Sequence, residues 1–441
     1  MAALLLIILM IAELGFCVYE LTRKTTKREW TPGRFIIDSA QLVISLIMAL
    51  LPGIDFSFRF KALFFILIAR LITAGIFAIA YKNNNKTKKK GAIVFSTLIS
   101  IVLITTNMIP AFLFADYQGR PLTGEYEVKE DQIIMVDESR TEQFETDGSY
   151  REVPVHFYYP DNADLADHSL PLVIFSHGAF GYYQSNASTY MELASHGYVV
   201  ASLDHPYHSF FTHDTDGRLI TVDPEFFQTA MYVGGNDNEM SEEEVWEITS
   251  EWMELREADM NFVIDELENN LFEQEWGRLM DTSRIGLMGH SLGGATAVTV
   301  GRRADISAVI DIDGTMLGEQ TGVVNGMPTV NEERYTTPLL AIDNDEHHNS
   351  RIEARETGYV YSNNVILDNA DEGYSTYFRG AAHMDLTDLP LFSPALAGLL
   401  NTSESSVDHE ACTDTLNRIV LNFYDCYLKG EGTFAVNESY L

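Results

Sequence analysis

Four long apolar runs, Ala2–Tyr19, Phe35–Leu51, Ala62–Tyr81 and Ala92–Leu113, fill the first quarter of the chain. Each is near the length that a helix needs to cross a hydrocarbon core of ~30 Å, so the pattern predicts four membrane-spanning helices. The second run is the shortest and carries Asp38 and Gln41. A cleaved signal peptide would need a positive start, a shorter apolar centre and a small-residue cleavage site. Here Arg23, Lys24, Lys27 and Arg28 follow the first run instead.

After Ala115 the periodicity changes, and the break predicts two domains, 1–115 in the membrane and 116–441 outside it. Strand-like and helix-like stretches alternate from there on, the signature of a largely parallel sheet covered by helices. Val153–Tyr159, Leu172–Ser176, Tyr198–Leu203, Ile285–Met288, Ala308–Ile312 and Leu339–Ile342 read as strands. Ala187–Ser195 has helical spacing, with Gly197 placed for a left-handed cap. Between Asp204 and Ile285 lies an irregular insertion whose first part, about 205–240, carries Phe210, Phe211, Phe226 and Phe227 among turn residues. Loops of this length are usually functional, and a lid is expected here. Ser241 with Glu244 then forms a capping box and starts a helix running toward Leu267. This acidic helix is expected to present a solvated face, with Trp246 and Trp252 turned inward.

Charge gives the orientation. The loop after the first run holds Arg23, Lys24, Lys27, Arg28 and Arg34, and the loop after the third holds Lys82, Lys86, Lys88, Lys89 and Lys90. Basic loops stay in the cytoplasm, which places the region after Leu113 outside the cell membrane. Thirteen basic and 5 acidic residues precede Asp116, of 29 and 64 in all. The remainder carries 16 and 59, a formal charge of −43 that opposes nucleic acid and anionic surfaces. Glu13 and Arg70 are costly in hydrocarbon and both fall near mid-depth, so a pair between the first and third spans is expected. Cys17, Cys412 and Cys426 are too few for a disulfide framework. The last two lie on one expected helix, roughly 21 Å apart, and read as packing residues.

Gly289-His290-Ser291-Leu292-Gly293 is a G-x-S-x-G motif, with an apolar strand leading in and a helix, Ala295–Arg303, leading out. That setting points to the α/β-hydrolase fold and to Ser291 as a nucleophile on a strained turn. A serine hydroxyl needs a base, and chain order leaves His347, His348, His383 and His409 as candidates. His383, in the small-residue loop Arg379-Gly380-Ala381-Ala382-His383, is preferred, while His347 and His348 look solvated in an acidic turn. The acid stays open between Asp313, ending one strand beside Asp311, and Asp343 or Asp345, ending the next. An oxyanion hole needs two backbone N–H groups. Leu292 supplies one. The loop Ser176-His177-Gly178-Ala179-Phe180-Gly181 supplies the other, from Ala179 or else Phe180.

Taken together, Phe175-Ser176-His177-Gly178, the run Leu193 to Ala201, Gly289 to Thr296 and Arg379 to His383 resemble the plasma-type platelet-activating-factor acetylhydrolases and their bacterial relatives. The resemblance spans about Arg151 to Leu428. It implies a Ser-Asp-His ester hydrolase that works without metal or other cofactor, often on short or oxidised acyl groups. It also implies Asp313 as the acid and Ala179 as an oxyanion donor, where a bulkier residue is usual. The four-span region has no counterpart in the secreted members. His205 and His208 lack a third ligand at recognisable spacing and read as polar loop residues rather than a metal site. The expected partner is a small ester or lipid-derived substrate, met by a membrane-integral protein that binds no nucleic acid. Two other functions fit the same chain: an acyltransferase using the same triad, and a non-catalytic membrane sensor.

Overall fold

The computed structural model describes every residue except Asn236 and Asp237, so two positions of the expected 205–240 insertion lie outside the described residues. The chain forms two compact units. One comprises Met1–Gln118 with Phe392–Leu396, the other Gly119–Leu391 with Ala397–Leu441.

The first unit holds four helices, α1 (Ala2–Leu21), α2 (Lys27–Met48), α3 (Phe58–Ala80) and α4 (Lys90–Leu113). By length and composition α1, α3 and α4 can cross a membrane; α2 is long enough but not apolar enough. Its pattern is inverted relative to a water-soluble helix. Thr31, Arg34, Asp38, Gln41, Ser45 and Met48 recur at helical spacing and are buried, while Phe35, Ile36, Val43, Leu46 and Ile47 face outward. Glu13 and Arg70 do form an ion pair, and a wider cluster surrounds them. Arg34 reaches Glu13 at 2.6 Å and Asp38 at 2.8 Å, Arg70 reaches Asp38 at 2.7 Å, and Gln41 donates to Glu13 at 3.0 Å. Two arginines thus balance two carboxylates. Burial on this scale requires such pairing, since an isolated charge in a medium of low polarity is far costlier.

In the second unit nine strands form one sheet. They are β1 (Val128–Thr141), β2 (Tyr150–Pro160), β3 (Leu170–Ser176), β4 (Val199–Leu203), β5 (Met280–His290), β6 (Ile306–Ile312), β7 (Leu339–Asp343), β8 (Gly373–Phe378) and β9 (Ser439–Tyr440). Their order is 1-2-4-3-5-6-7-8-9, antiparallel across the first three and parallel beyond. Five helices matter for the site: α5 (Ala187–Ser195), α6 (Pro224–Val233), α7 (Glu242–Asn269), α8 (Leu292–Val300) and α9 (Asp345–Thr357). A tenth, α10 (His409–Lys429), covers the sheet.

Strand residues alternate between two cores, as the pleat requires. Leu172 and Ile174 pack with Met260, Val263 and Ile264 of α7, whereas Val173 and Phe175 pack with Tyr190 of α5 and Ile419, Val420 and Phe423 of α10. With both faces covered, the central strands read as continuous apolar runs. The capping box at Ser241 is present with both of its hydrogen bonds. The acidic helix it starts is not a merely solvated one, because its second half buries Arg256 and Asp259 completely. All three cysteines are free, and Cys412 and Cys426 both lie on α10.

Candidate active site

Strand β5 ends at His290, and α8 begins at Leu292, so Ser291 alone makes the turn. Its φ of 56° and ψ of −123° are strained for a residue with a side chain. The turn closes only over glycine. A Cβ on Gly289 would run into the Gly293 carbonyl, and one on Gly293 into the Ser176 carbonyl. The Ser291 N–H donates to the Ile312 carbonyl at 2.9 Å, which ties the turn to the end of β6.

One residue past β6, Asp313 also has a positive φ, 55°. Its carboxylate accepts four hydrogen bonds, from the Asn344 backbone and side chain, each at 2.7 Å, from His347 Nδ1 at 3.1 Å and from His383 Nδ1 at 2.6 Å. Burial works to raise Asp313, but its bonds with His347 and His383 win and hold it well below the usual carboxylate range. Asp343 touches neither His383 nor the serine loop; it pairs with Arg351 and lies 3.6 Å from His347. Asp311 is buried, accepts the Gly314 N–H at 3.0 Å and is pushed up, first by burial.

His383 is the one sequence-predicted histidine that reaches Asp313 while remaining partly open, its side chain 30% exposed. His290 Nε2, 3.2 Å from the His383 carbonyl, helps fix that loop, and burial keeps His290 neutral by lowering it to about 3. His409 faces Asp385 and His348 stacks on Tyr377. His347 corrects the expectation of a solvated turn. It is buried, because Asn344 caps α9 and turns the first helical residues inward beneath Asp313. Burial disfavours its charge, yet Asp343 and Asp313 raise it to about 9, so it is an imidazolium at neutral pH.

The Ser176–Gly181 loop lies against the turn: a Cβ on Gly178 would sit 3.0 Å from Ser291 Cβ. The N–H groups of Ala179 and Leu292 have no acceptor among the described residues. Phe180, the alternative donor, gives its N–H to the His208 carbonyl at 3.0 Å. The Ser291 hydroxyl likewise has no hydrogen-bond partner among the described residues. Ala179, Phe180, Leu292, Phe226 and Trp252 form a separate apolar cluster beside it.

His205 and His208 are loop residues, as expected, but the loop is not solvated. Both are buried, and His205 bridges Ser176 Oγ at 2.8 Å and Asp259 at 2.9 Å. A signal for this network was present, since Arg256 is the sole basic residue of α7 and Asp259 follows at i+3. Two groups, His290-Asp313-His383 and Asp313-Asp343-His347, have nitrogen and oxygen atoms within 4.8 Å of one another. Asp313 is committed to Asn344, His347 and His383, Asp343 to Arg351, and His290 Nε2 to the His383 carbonyl.

Residues 153–437 match the family described as platelet-activating factor acetylhydrolase, isoform II. The chain is 24% identical over 276 residues to the platelet-activating factor acetylhydrolase of Cavia porcellus, covering 58% of this chain and 57% of that one. It is 22% identical over 279 residues to that of Gallus gallus, covering 58% and 62%. The match thus spans about three-fifths of those relatives' length. A solved ferulic acid esterase from Streptomyces cinnamoneus shares the fold with a TM-score of 0.53 at 20% identity, covering 72% of this chain and 95% of that one. The chain belongs to the platelet-activating factor acetylhydrolase, isoform II, family of α/β-hydrolases.

Proposed function

We propose that the chain is a membrane-anchored serine esterase of short-acyl or lipid-derived esters. The observation that carries this reading is the conjunction, past the ends of neighbouring parallel strands, of Ser291 on a strained turn, the His383–Asp313 pair, and two unused N–H groups. Ser291 Oγ attacks the acyl carbon as His383 Nε2 takes its proton; Asp313 holds the Nδ1–H tautomer and stabilises the imidazolium. The carbonyl oxygen becomes an oxyanion facing the N–H groups of Ala179 and Leu292. Collapse expels the alcohol, protonated by His383, and leaves an acyl-serine. Water, deprotonated by His383, attacks that ester, and the acid departs as Ser291 regains its proton.

The apolar cluster beside the serine loop favours a neutral acyl chain over a charged one, and the name of the relatives points to acetyl esters. The acidic catalytic domain, 116–441, disfavours anionic lipids. The membrane domain, 1–115, is read as four spans with α2 as the fourth, because its outward side chains are apolar and its polar stripe faces the other helices. The basic loops then leave the catalytic domain outside the cell membrane.

Hydrolysis of p-nitrophenyl esters from acetate to palmitate by the full chain in detergent, beside Ser291→Ala, tests this. Activity that vanishes in the variant and peaks at short acyl length is expected. A folded wild type inert on every ester, or a Ser291→Ala variant of equal activity, would overturn it; turnover only with an added alcohol acceptor would make it an acyltransferase.

A further inference from the structure

Arg256 on α7 is wholly buried, and none of its hydrogen bonds goes to a carboxylate. Its Nη1 donates to the His177 carbonyl at 2.6 Å, Nη2 to the Gly178 carbonyl at 3.2 Å, and Nε to His208 Nδ1 at 3.3 Å. Asp259, one turn on, is committed elsewhere: to Arg151 at 2.7 Å, to Arg140 at 2.9 Å and to His205 at 2.9 Å. A buried guanidinium bound only to neutral acceptors is costly, and an apolar residue would pack there more cheaply. The position calls for a reason other than stability.

The loop it grips supplies one. In a trans peptide the C=O and N–H point in opposite directions. Holding the Gly178 oxygen toward α7 therefore turns the Ala179 N–H away from Arg256, on a loop whose Gly178 abuts Ser291. The same side chain anchors His208, whose carbonyl takes the Phe180 N–H and fixes the next peptide at a φ of 45°. Behind this, Ser176, His205 and Asp259 form a serine–histidine–carboxylate chain, but Ser176 is fully buried, so the chain is a brace and not a second nucleophile.

We propose that Arg256 is a positioning residue for the oxyanion hole. It aims the Ala179 N–H at the oxygen of the tetrahedral intermediate, and its charge behind the Gly178–Ala179 peptide favours the negative charge that develops there. The inference rests on the serine-esterase reading above.

The full chain in detergent would be assayed on p-nitrophenyl acetate as wild type, Arg256→Lys and Arg256→Gln. An alkyl trifluoromethyl ketone, which adds the serine oxygen and becomes a bound hemiketal oxyanion, probes the hole directly. Loss of one oxyanion contact lowers kcat by about 10²–10³-fold. Arg256→Gln is expected to lose kcat on that scale with KM within about threefold, and to lose trifluoromethyl ketone affinity by a similar factor, with Arg256→Lys in between. A folded Gln variant with kcat near wild type overturns the proposal, as does lost kcat with unchanged ketone affinity. If the Gln variant does not fold, the Lys variant decides by the same comparison; if neither folds, Arg256 is structural and the proposal fails. A wild type that hydrolyses no ester refutes the esterase reading instead, whatever position 256 holds.

Discussion

Four N–H groups converge on Asp313, and only one of them belongs to the proposed base. The other three, two from Asn344 and one from His347, fix the carboxylate so that a single lone-pair direction is left for His383. Asp313→Asn would put an amide among donors and disturb the His383 tautomer; kcat is expected to fall about 10³–10⁴-fold, by analogy with the serine-protease aspartate. Asp343→Asn should cost far less in kcat, because Asp343 contacts Arg351 rather than His383. Steady-state kinetics of the two variants on p-nitrophenyl acetate checks the contrast, and equal losses would remove Asp313 from its role. His347 makes a pH prediction. Raised to about 9 when folded and near 6.5 when unfolded, it contributes stability that is complete below about pH 6.5 and lost as pH rises through about 9. The full effect is about 3 kcal/mol. Chemical denaturation midpoints from pH 6 to 10 should decline more steeply in wild type than in His347→Gln; parallel curves would mean that His347 is neutral when folded.

At the level of elements, the parts that sequence patterns reveal are those whose physics is local. The Ser291 turn could be read because strand, glycines and helix are contiguous, and the central strands because burial on both faces makes them uniformly apolar. β1 escaped notice because it is an edge strand, Val128–Thr141, with charged residues along most of its length. The burial of His347 escaped because it depends on which loops meet over the strand ends, whereas the Arg256–Asp259 network left only the faint mark of a lone basic residue in α7 with an acid at i+3. Helix α6 lies between these cases. Its aromatics were visible, but not that Phe226 would stack on His208 with centroids 3.7 Å apart and pack edge-on to Trp252. Phe226→Ala removes a buried ring, which typically costs 3–5 kcal/mol. It also releases the side of His208 that backs the Ser176–Gly181 loop. A lower melting temperature together with a lower kcat is expected; a drop in melting temperature alone would confine Phe226 to packing.

At the scale of the whole molecule, each unit buries a cluster of carboxylates matched by arginines, while Arg256, bound to neutral acceptors, stands outside that rule. In the sheet-bearing unit Asp259 meets Arg151 and Arg140, and in the helical unit Glu13 and Asp38 meet Arg34 and Arg70. The consequence is sharper for the helices, since hydrocarbon offers no water to an unmatched charge; a lone one at mid-depth costs at least ~2.5–3.5 kcal/mol. Removing one partner of a buried pair typically costs 3–5 kcal/mol, whereas removing both can be nearly neutral. Glu13→Gln and Arg70→Gln each leave the cluster with a net charge, and each should lower the folded yield and melting temperature of the detergent-solubilised chain. The double variant keeps the Arg34–Asp38 pair and restores neutrality, so it should be more stable than the worse single variant. Gel filtration and thermal melts of the three proteins check this. Two single variants that fold as well as wild type would mean that the cluster is hydrated. The polar stripe of α2 would then face water rather than the interior of a four-span bundle, and the reading of α2 as a span would fall with it.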